Sequence, residues 1–157
     1  MGAFHLDMTK WVAKATNNMN TVVRQVVTGV VHGVDFRSPV GKRELWADNI
    51  DRATRGLPPV PKGYVGGHFR GNNQLGADMV PTSELSNIDP TGEMTTAANL
   101  EVIPKDAAGR VYFLVNNVPY AQALEDGHST QAPQGIYGLT ALEFQQYVDS
   151  AVAGVPK

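Results

Sequence analysis

The chain contains no cysteine. That excludes a disulfide framework, a thiolate-ligated zinc or iron–sulfur site and a cysteine nucleophile, and leaves the redox compartment open. Neither sign of charge is in excess: 13 Lys and Arg face 15 Asp and Glu, a formal net charge of −2. Nothing in that balance advertises nucleic-acid binding. Charged residues are sparse altogether, 18% against ~25% in an average soluble domain. Long apolar runs are missing too. The longest, around Val26 to Val31, is broken by Thr28 and Gly29, far short of the ~18 residues of a membrane span. The opening Met1-Gly2-Ala3-Phe4-His5-Leu6-Asp7 has no basic stretch leading into an apolar core, so it does not read as a signal peptide. Leu6 stands where a myristoylation signal wants Ser or Thr.

What the chain has in surplus is loop chemistry. Its 16 glycines and 10 prolines are well above the ~12% of average usage. At 157 residues it is one domain long, enough to bury roughly 68–70% of its unfolded surface without covalent staples.

Met8, Trp11, Val12, Ala15, Met19, Val22, Val23, Val26, Val27, Val30 and Val31 recur at three- and four-residue steps, with Lys10, Lys14 and Arg24 on the other side. The spacing predicts a helix over about 8–32, capped by Asp7 and ended near Gly33. Val34 to Arg37 then reads as extended, and Ser38 is pushed out of the helical region by Pro39. Residues 41–81 form a long loop-rich insertion, whose end from Tyr64 to about Leu75 reads as a strand bent at its glycines. Asp89-Pro90 opens a helix over about 90–103. Arg110 to Val115 is the clearest strand. A short helix follows from Pro119 to Leu124, and a short strand is expected near Ile136-Tyr137. Thr140 and Glu143 form a capping box for a last helix over about 141–153. The expected fold is α+β in one domain over 1–157: a small, mainly antiparallel sheet with the long N-terminal and the C-terminal helices packed on one face.

Catalytic patterns are weak. No two of His5, His32, His68 and His128 share the i, i+3 or i+4 spacing of a helical metal pair. Asp126, His128 and Ser129 hold the letters of a hydrolase triad, but neighbours in sequence are not a constellation in space, and no G-x-S-x-G is present. Gly41-Lys42-Arg43 lacks the rest of a phosphate loop. A small hydrolase-like enzyme remains the alternative reading. No cofactor or metal is expected. Trp46, set among Lys42, Arg43, Glu44, Asp48, Asp51, Arg52 and Arg55, is either part of a self-paired solvated face or an interface anchor.

Several strings in order resemble one family. Ser38-Pro39-Val40 follows the long helix. Pro61-Lys62-Gly63-Tyr64-Val65-Gly66-Gly67-His68-Phe69-Arg70-Gly71-Asn72 comes next. A strand then leads into Asn116-Asn117-Val118-Pro119-Tyr120-Ala121, Leu124-Glu125 and Gly127. Ala132-Pro133-Gln134-Gly135 and Leu139-Thr140 precede the last helix. Over about residues 8–153 this resembles the small tail-component family of long-tailed bacteriophages, the tail-completion or neck proteins at the head–tail junction. Three places depart from the family pattern: Asn73 and Asp126 stand where an aromatic is usual, and Ile136-Tyr137-Gly138 replaces a more basic string.

The resemblance implies a virion structural protein made in the host cytoplasm, without catalysis or membrane contact. It implies a homo-oligomeric ring, a tail-completion or tail-terminator component with a hexamer favoured and a dodecamer as the alternative, that joins the tail tube to the head-side connector and lets genomic DNA pass without specific binding. On that reading Trp46 and Tyr64 anchor the long loop on a neighbouring subunit, and Phe69 and Arg70 lie at a subunit contact. Glu125, electrostatically awkward at a helix C-terminus, needs a basic partner, for which Arg70 is the candidate. Tyr120 is expected to pack inside with its hydroxyl bonded to backbone.

Overall fold

A computed structural model of the chain describes residues 3–42, 56 and 63–155, with side chains from Asp7 onward. The fold is α+β. Helix α1, Ala3–Arg37, has 35 residues and so spans about 52 Å at 1.5 Å per residue. Asp7 lies inside it and is not its cap. Nor does the helix stop at Gly33 or turn extended at Val34. A Cβ on Gly29 would sit 2.8 Å from the Tyr147 ring, and one on Gly33 2.5 Å from the Tyr147 hydroxyl. These glycines admit a ring and do not break the helix. The end comes at Ser38, whose N–H and hydroxyl both donate to the Val34 carbonyl, at 3.0 and 2.8 Å, with Pro39 next.

Strands β1, Asn73–Ala77, and β2, Tyr112–Asn116, pair antiparallel with Leu75 opposite Leu114 and Asn73 opposite Asn116. The expected strand from Tyr64 is therefore shorter. Its middle is a 3-10 turn at Arg70–Asn72, held by Gly71 N–H to Gly67 O and Asn72 N–H to Phe69 O. The Asn72 side chain donates to His68 O and Leu85 O and accepts from Leu85 N–H. A short polar side chain thus offers the backbone partners that a ladder would otherwise supply.

The inner face of the sheet lies on α1. Val27 and Val31 meet Leu75, Ile103 and Ala107, with Tyr112 and Leu114 packed against them. A second cluster joins Val34 to Phe69, Val118, Ala132 and Ile136. Each fully buried Val or Ile here is worth about 1.5–3 kcal/mol.

Helix α2, Glu93–Val102, covers the outer edge of β1. Asn99 accepts from Leu75 N–H and donates to Asn73 O, both at 2.9 Å, so its amide stands in for a third strand and closes an edge that would otherwise be open. Asp89 caps α2 from further back than expected. One carboxylate oxygen accepts from Gly92 N–H and the Thr91 hydroxyl, the other from Thr95 N–H and hydroxyl. Burial pushes the Asp89 carboxyl up, but these donors outweigh it and hold the pKa below the ordinary range. Among the described residues, the backbone groups of Leu114 facing away from β1 have no partner.

Helix α3, Ala121–Glu125, precedes α4, Tyr137–Leu142, and α5, Phe144–Ala153. The short strand expected at Ile136-Tyr137 is instead the entry to α4, with Ile136 fully buried. The single last helix is two, meeting at Glu143. Thr140 and Glu143 form no capping box: the Thr140 hydroxyl donates to Ile136 O, and Glu143 takes both oxygens to the Arg37 guanidinium at 2.6 Å. Helix α5 lies along α1, and Phe144 in its first turn lines an apolar groove together with Tyr112 and Leu114 of β2.

Replacing Asn99 by Leu strands a buried N–H and a buried C=O. At about 1–3 kcal/mol each, urea unfolding should show a loss of about 2–6 kcal/mol, whereas exposed Glu101→Gln stays within ~0.5. Equal midpoints for the two variants would show that α2 closes the edge without its amide.

Candidate assembly surface

The framework that positions the surface is polar at its centre. Asn73 is 2% exposed. Its amide nitrogen donates to Asp35 Oδ1 and Ser38 Oγ, each at 2.8 Å. Its side-chain oxygen accepts from the Asn116 amide at 2.8 Å and the Tyr137 hydroxyl at 2.9 Å. The end of α1, both strands and the start of α4 thus meet on one carboxamide. The Asp35 carboxyl, with Thr96 donating to its other oxygen, is pushed above the usual carboxylate range by burial, which the Thr96 and Asn73 bonds offset only in part. Burial likewise drives the Tyr137 hydroxyl well above its ordinary range. Asn73 and Tyr137, 64 positions apart, therefore touch each other.

The residues singled out in the sequence fall differently from expectation. Phe69 is 4% exposed and belongs to the second core cluster, so its side chain is unavailable to a neighbour. Arg70 donates to Pro90 O at 2.6 Å and Ser38 O at 2.7 Å, tying the entry of α2 to the end of α1. It does not pair with Glu125. Glu125 needs no cation: it accepts from Ile136, Tyr137 and Gly138 N–H at 2.9, 2.9 and 2.8 Å. These are free donors at the start of α4, so a carboxylate awkward at the end of α3 is the cap of α4. Gly135 sits so close that a Cβ there would lie 2.7 Å from Glu125 O, and its φ of +84° suits glycine. Tyr64 is half-buried with its hydroxyl beside Gly41 of its own chain. Trp46 lies outside the described residues. Tyr120 is 43% exposed, not internal, and its hydroxyl meets His68 Nδ1, not backbone, at 3.0 Å.

The hydrolase letters do not converge. Asp126 accepts from Gln122 and Ser129 from Gln131 N–H, while His128 is exposed. Among the described residues no group of three or more His, Asp or Glu is placed to hold a metal ion, and no helix is long and apolar enough to cross a membrane.

What the framework leaves uncovered is apolar. Along the first half of α1, Met8, Trp11, Val12 and Met19 are 47, 65, 51 and 59% exposed. Among the described residues, Asn20, which accepts from Ala108 N–H, and Arg24, which donates to Ile103 O and Pro104 O, tie this helix to the segment after α2. The four apolar side chains lie before them on the helix and stand exposed. Beside the second half of α1, an apolar groove of about 350 Å³ runs between the helix, β2 and the α4–α5 junction, with Phe144 half exposed at its rim. A stripe and a groove of this kind mark interaction surfaces more than ordinary monomer skin. Periodicity had flagged every residue of the stripe, but no local signal tells which half of a helix the tertiary fold will cover.

No protein-family model, no curated protein and no solved structure matches the chain.

Burial pushes the Glu125 carboxyl up, but its three backbone donors outweigh that and hold it below the usual range. A depressed pKa contributes stability that is complete above the ordinary Glu value and fades as pH falls through the folded one. Glu125→Gln should lose roughly 1–3 kcal/mol at pH 7 and show a shallower fall in stability below about pH 4.5. A denaturant series at several pH values checks both, and an unchanged acid slope would contradict the capping role.

Proposed function

We propose that the chain is a structural protein of a bacteriophage virion, a neck or tail-completion component that assembles into a ring, hexameric by preference, between the tail tube and the head-side connector. The observation that carries this reading is the uncharged apolar stripe exposed on the first half of α1, which suits a protein that works in an assembly. The strings behind the family resemblance support it from another side, because they occupy framework positions. Asn116 joins the strands, Glu125 caps α4, Ala132 is in the core and Gly135 fits against Glu125. A likeness at such positions bears on the fold, and function follows from it only by analogy. Near-neutral overall charge suits a ring through which DNA passes without being held, since each phosphate contact would add salt-dependent affinity.

Deleting the coding sequence from a phage that carries it should leave DNA-filled heads and finished tails unjoined. Electron microscopy of the complemented particle should place a ring of this chain at the junction. Normal infectious particles from the deletion strain, or density for the chain elsewhere in the virion, would overturn the reading. A lumen lined mainly by Lys and Arg would contradict the passive passage of DNA.

A further inference from the structure

The Asn99 amide closes the outward backbone groups of β1. The far edge of β2 is built differently. Asp78 N–H bonds Val111 O across the pair, and backbone direction alternates along an antiparallel strand. Val111, Phe113 and Val115 therefore turn their N–H and C=O towards β1, and Tyr112 and Leu114 turn theirs away. Among the described residues these outward groups have no partner. Sheet edges are commonly guarded by charge, proline or a bulge. The run Tyr112-Phe113-Leu114-Val115-Asn116 has neither charge nor proline, and it pairs with β1 residue for residue, without a bulge. All five residues are half-buried and none fully. Beside this edge lies the apolar groove of about 350 Å³, walled by Tyr112 and Leu114, by Val30 of α1, and by Thr140, Ala141 and Phe144 at the α4–α5 junction. Unpaired strand backbone and an apolar groove thus run side by side.

We infer that the β2 edge and its groove receive one extended segment of a different protein, added as a third strand, with apolar residues at every second position. Backbone bonds to Tyr112 and Leu114 hold such a segment on the edge, and its alternate side chains give selectivity. Residues lying beside Tyr112 and Leu114 share their face of the sheet, so they enter the groove, and those between them point away. None of the described lining residues is charged, so the groove-facing positions of the segment are uncharged too, because a charge there would be buried without a partner. A second copy of β2 does not suit. Continuing the sheet, it would bring its own α1 to the face where the α4–α5 junction already walls the groove. The sequence between Lys42 and Gly63 offers no such segment either, since charge or proline interrupts every run longer than Leu45-Trp46-Ala47. A single strand from another protein arrives with no helix layer attached. The inference stands on β2 and its groove and is independent of the virion.

Amide hydrogen exchange followed by NMR reads the edge directly. In the protein alone, the Tyr112 and Leu114 N–H groups should exchange faster than those of Phe113 and Val115 at every protein concentration. The probe is a capped peptide, Lys-Thr-Val-Thr-Val-Thr-Lys, whose two valines reach the groove together. At about 1 mM peptide, Leu114 exchange should slow about threefold or more, the protection that even a weak strand confers at twice its Kd. Two further peptides carry N-methyl groups, one on both valines, the other on the threonines beside them. One set of amides faces the edge and the other faces away, so one peptide should lose the effect and the other keep it. Ala141→Glu puts a charge at the groove and should abolish the slowing. Leu142→Glu, 83% exposed and outside the groove, should leave it intact, both variants keeping their helical circular dichroism. No slowing, equal behaviour of the two N-methylated peptides, or indifference to Ala141→Glu would overturn the proposal. Slow exchange of Leu114 in the protein alone would also overturn it: a second copy holds the edge if the protection grows with protein concentration, and the chain itself if it does not. Strand uptake by a chain that particles do not need would defeat the neck reading alone. Particles that need the chain, from a protein whose edge takes no peptide, would defeat the added strand alone.

Discussion

The Asn73 side chain has two donors and one acceptor oxygen, and all are used, by Asp35, Ser38, Asn116 and Tyr137. Its backbone is used too: its N–H bonds Arg70 O and its carbonyl accepts from Asn99. A sheet of two strands is marginal unless another layer packs on it, and here the apolar clusters on α1 are small. The polar centre does what further strands would do. It fixes the end of α1, the register of β1 on β2 and the entry to α4 against one another. Such a centre holds a unique arrangement only when every member is satisfied, because in low dielectric an unpaired polar group costs more than a neutral bond returns.

The centre draws on elements far apart in the chain. Asn73 of β1 puts an amide at the middle, and the aromatic ring beside it comes from Tyr137 at the start of α4, with its hydroxyl on that amide. The network includes Asp35, whose carboxyl is held above the usual range by burial while Asn73 and Thr96 donate to it. A hydrogen-bonded network, and not apolar packing alone, thus joins α1, β1 and α4.

Much of the architecture was legible because it is local. The apolar steps of α1 and the aromatic, β-branched run of β2 stand out in the residue order, and Asp89 was found as a cap although α2 starts three residues later. Errors gathered where a distant element intervened. Gly33 reads as a helix stop until the Tyr147 ring is seen against it. Thr140 and Glu143 read as a capping box until Arg37, over a hundred residues earlier, takes the carboxylate. Glu125 was rightly singled out, but its partners are three backbone N–H groups of the next helix, which no composition rule names. Phe69 reads as an edge residue flanked by glycines, whereas its neighbours Val34, Val118 and Ile136 make it core.

The amino-acid order by itself determined that α1 is a long helix with one apolar side free of charge, that a short aromatic and aliphatic strand follows the second helix, and that any assembly is held without disulfides. Those properties follow from steps of two to four residues and from a residue type that is absent. Only the tertiary structure decided which part of that apolar side is buried under α2, the sheet and α5, and which stands exposed. It alone decided that Asn73 meets Asp35, Asn116 and Tyr137. Hydrophobic periodicity says that a surface must be covered. The choice of cover, and of partner for each polar atom, depends on groups 38 to 64 positions apart that only the closed chain brings within 3 Å.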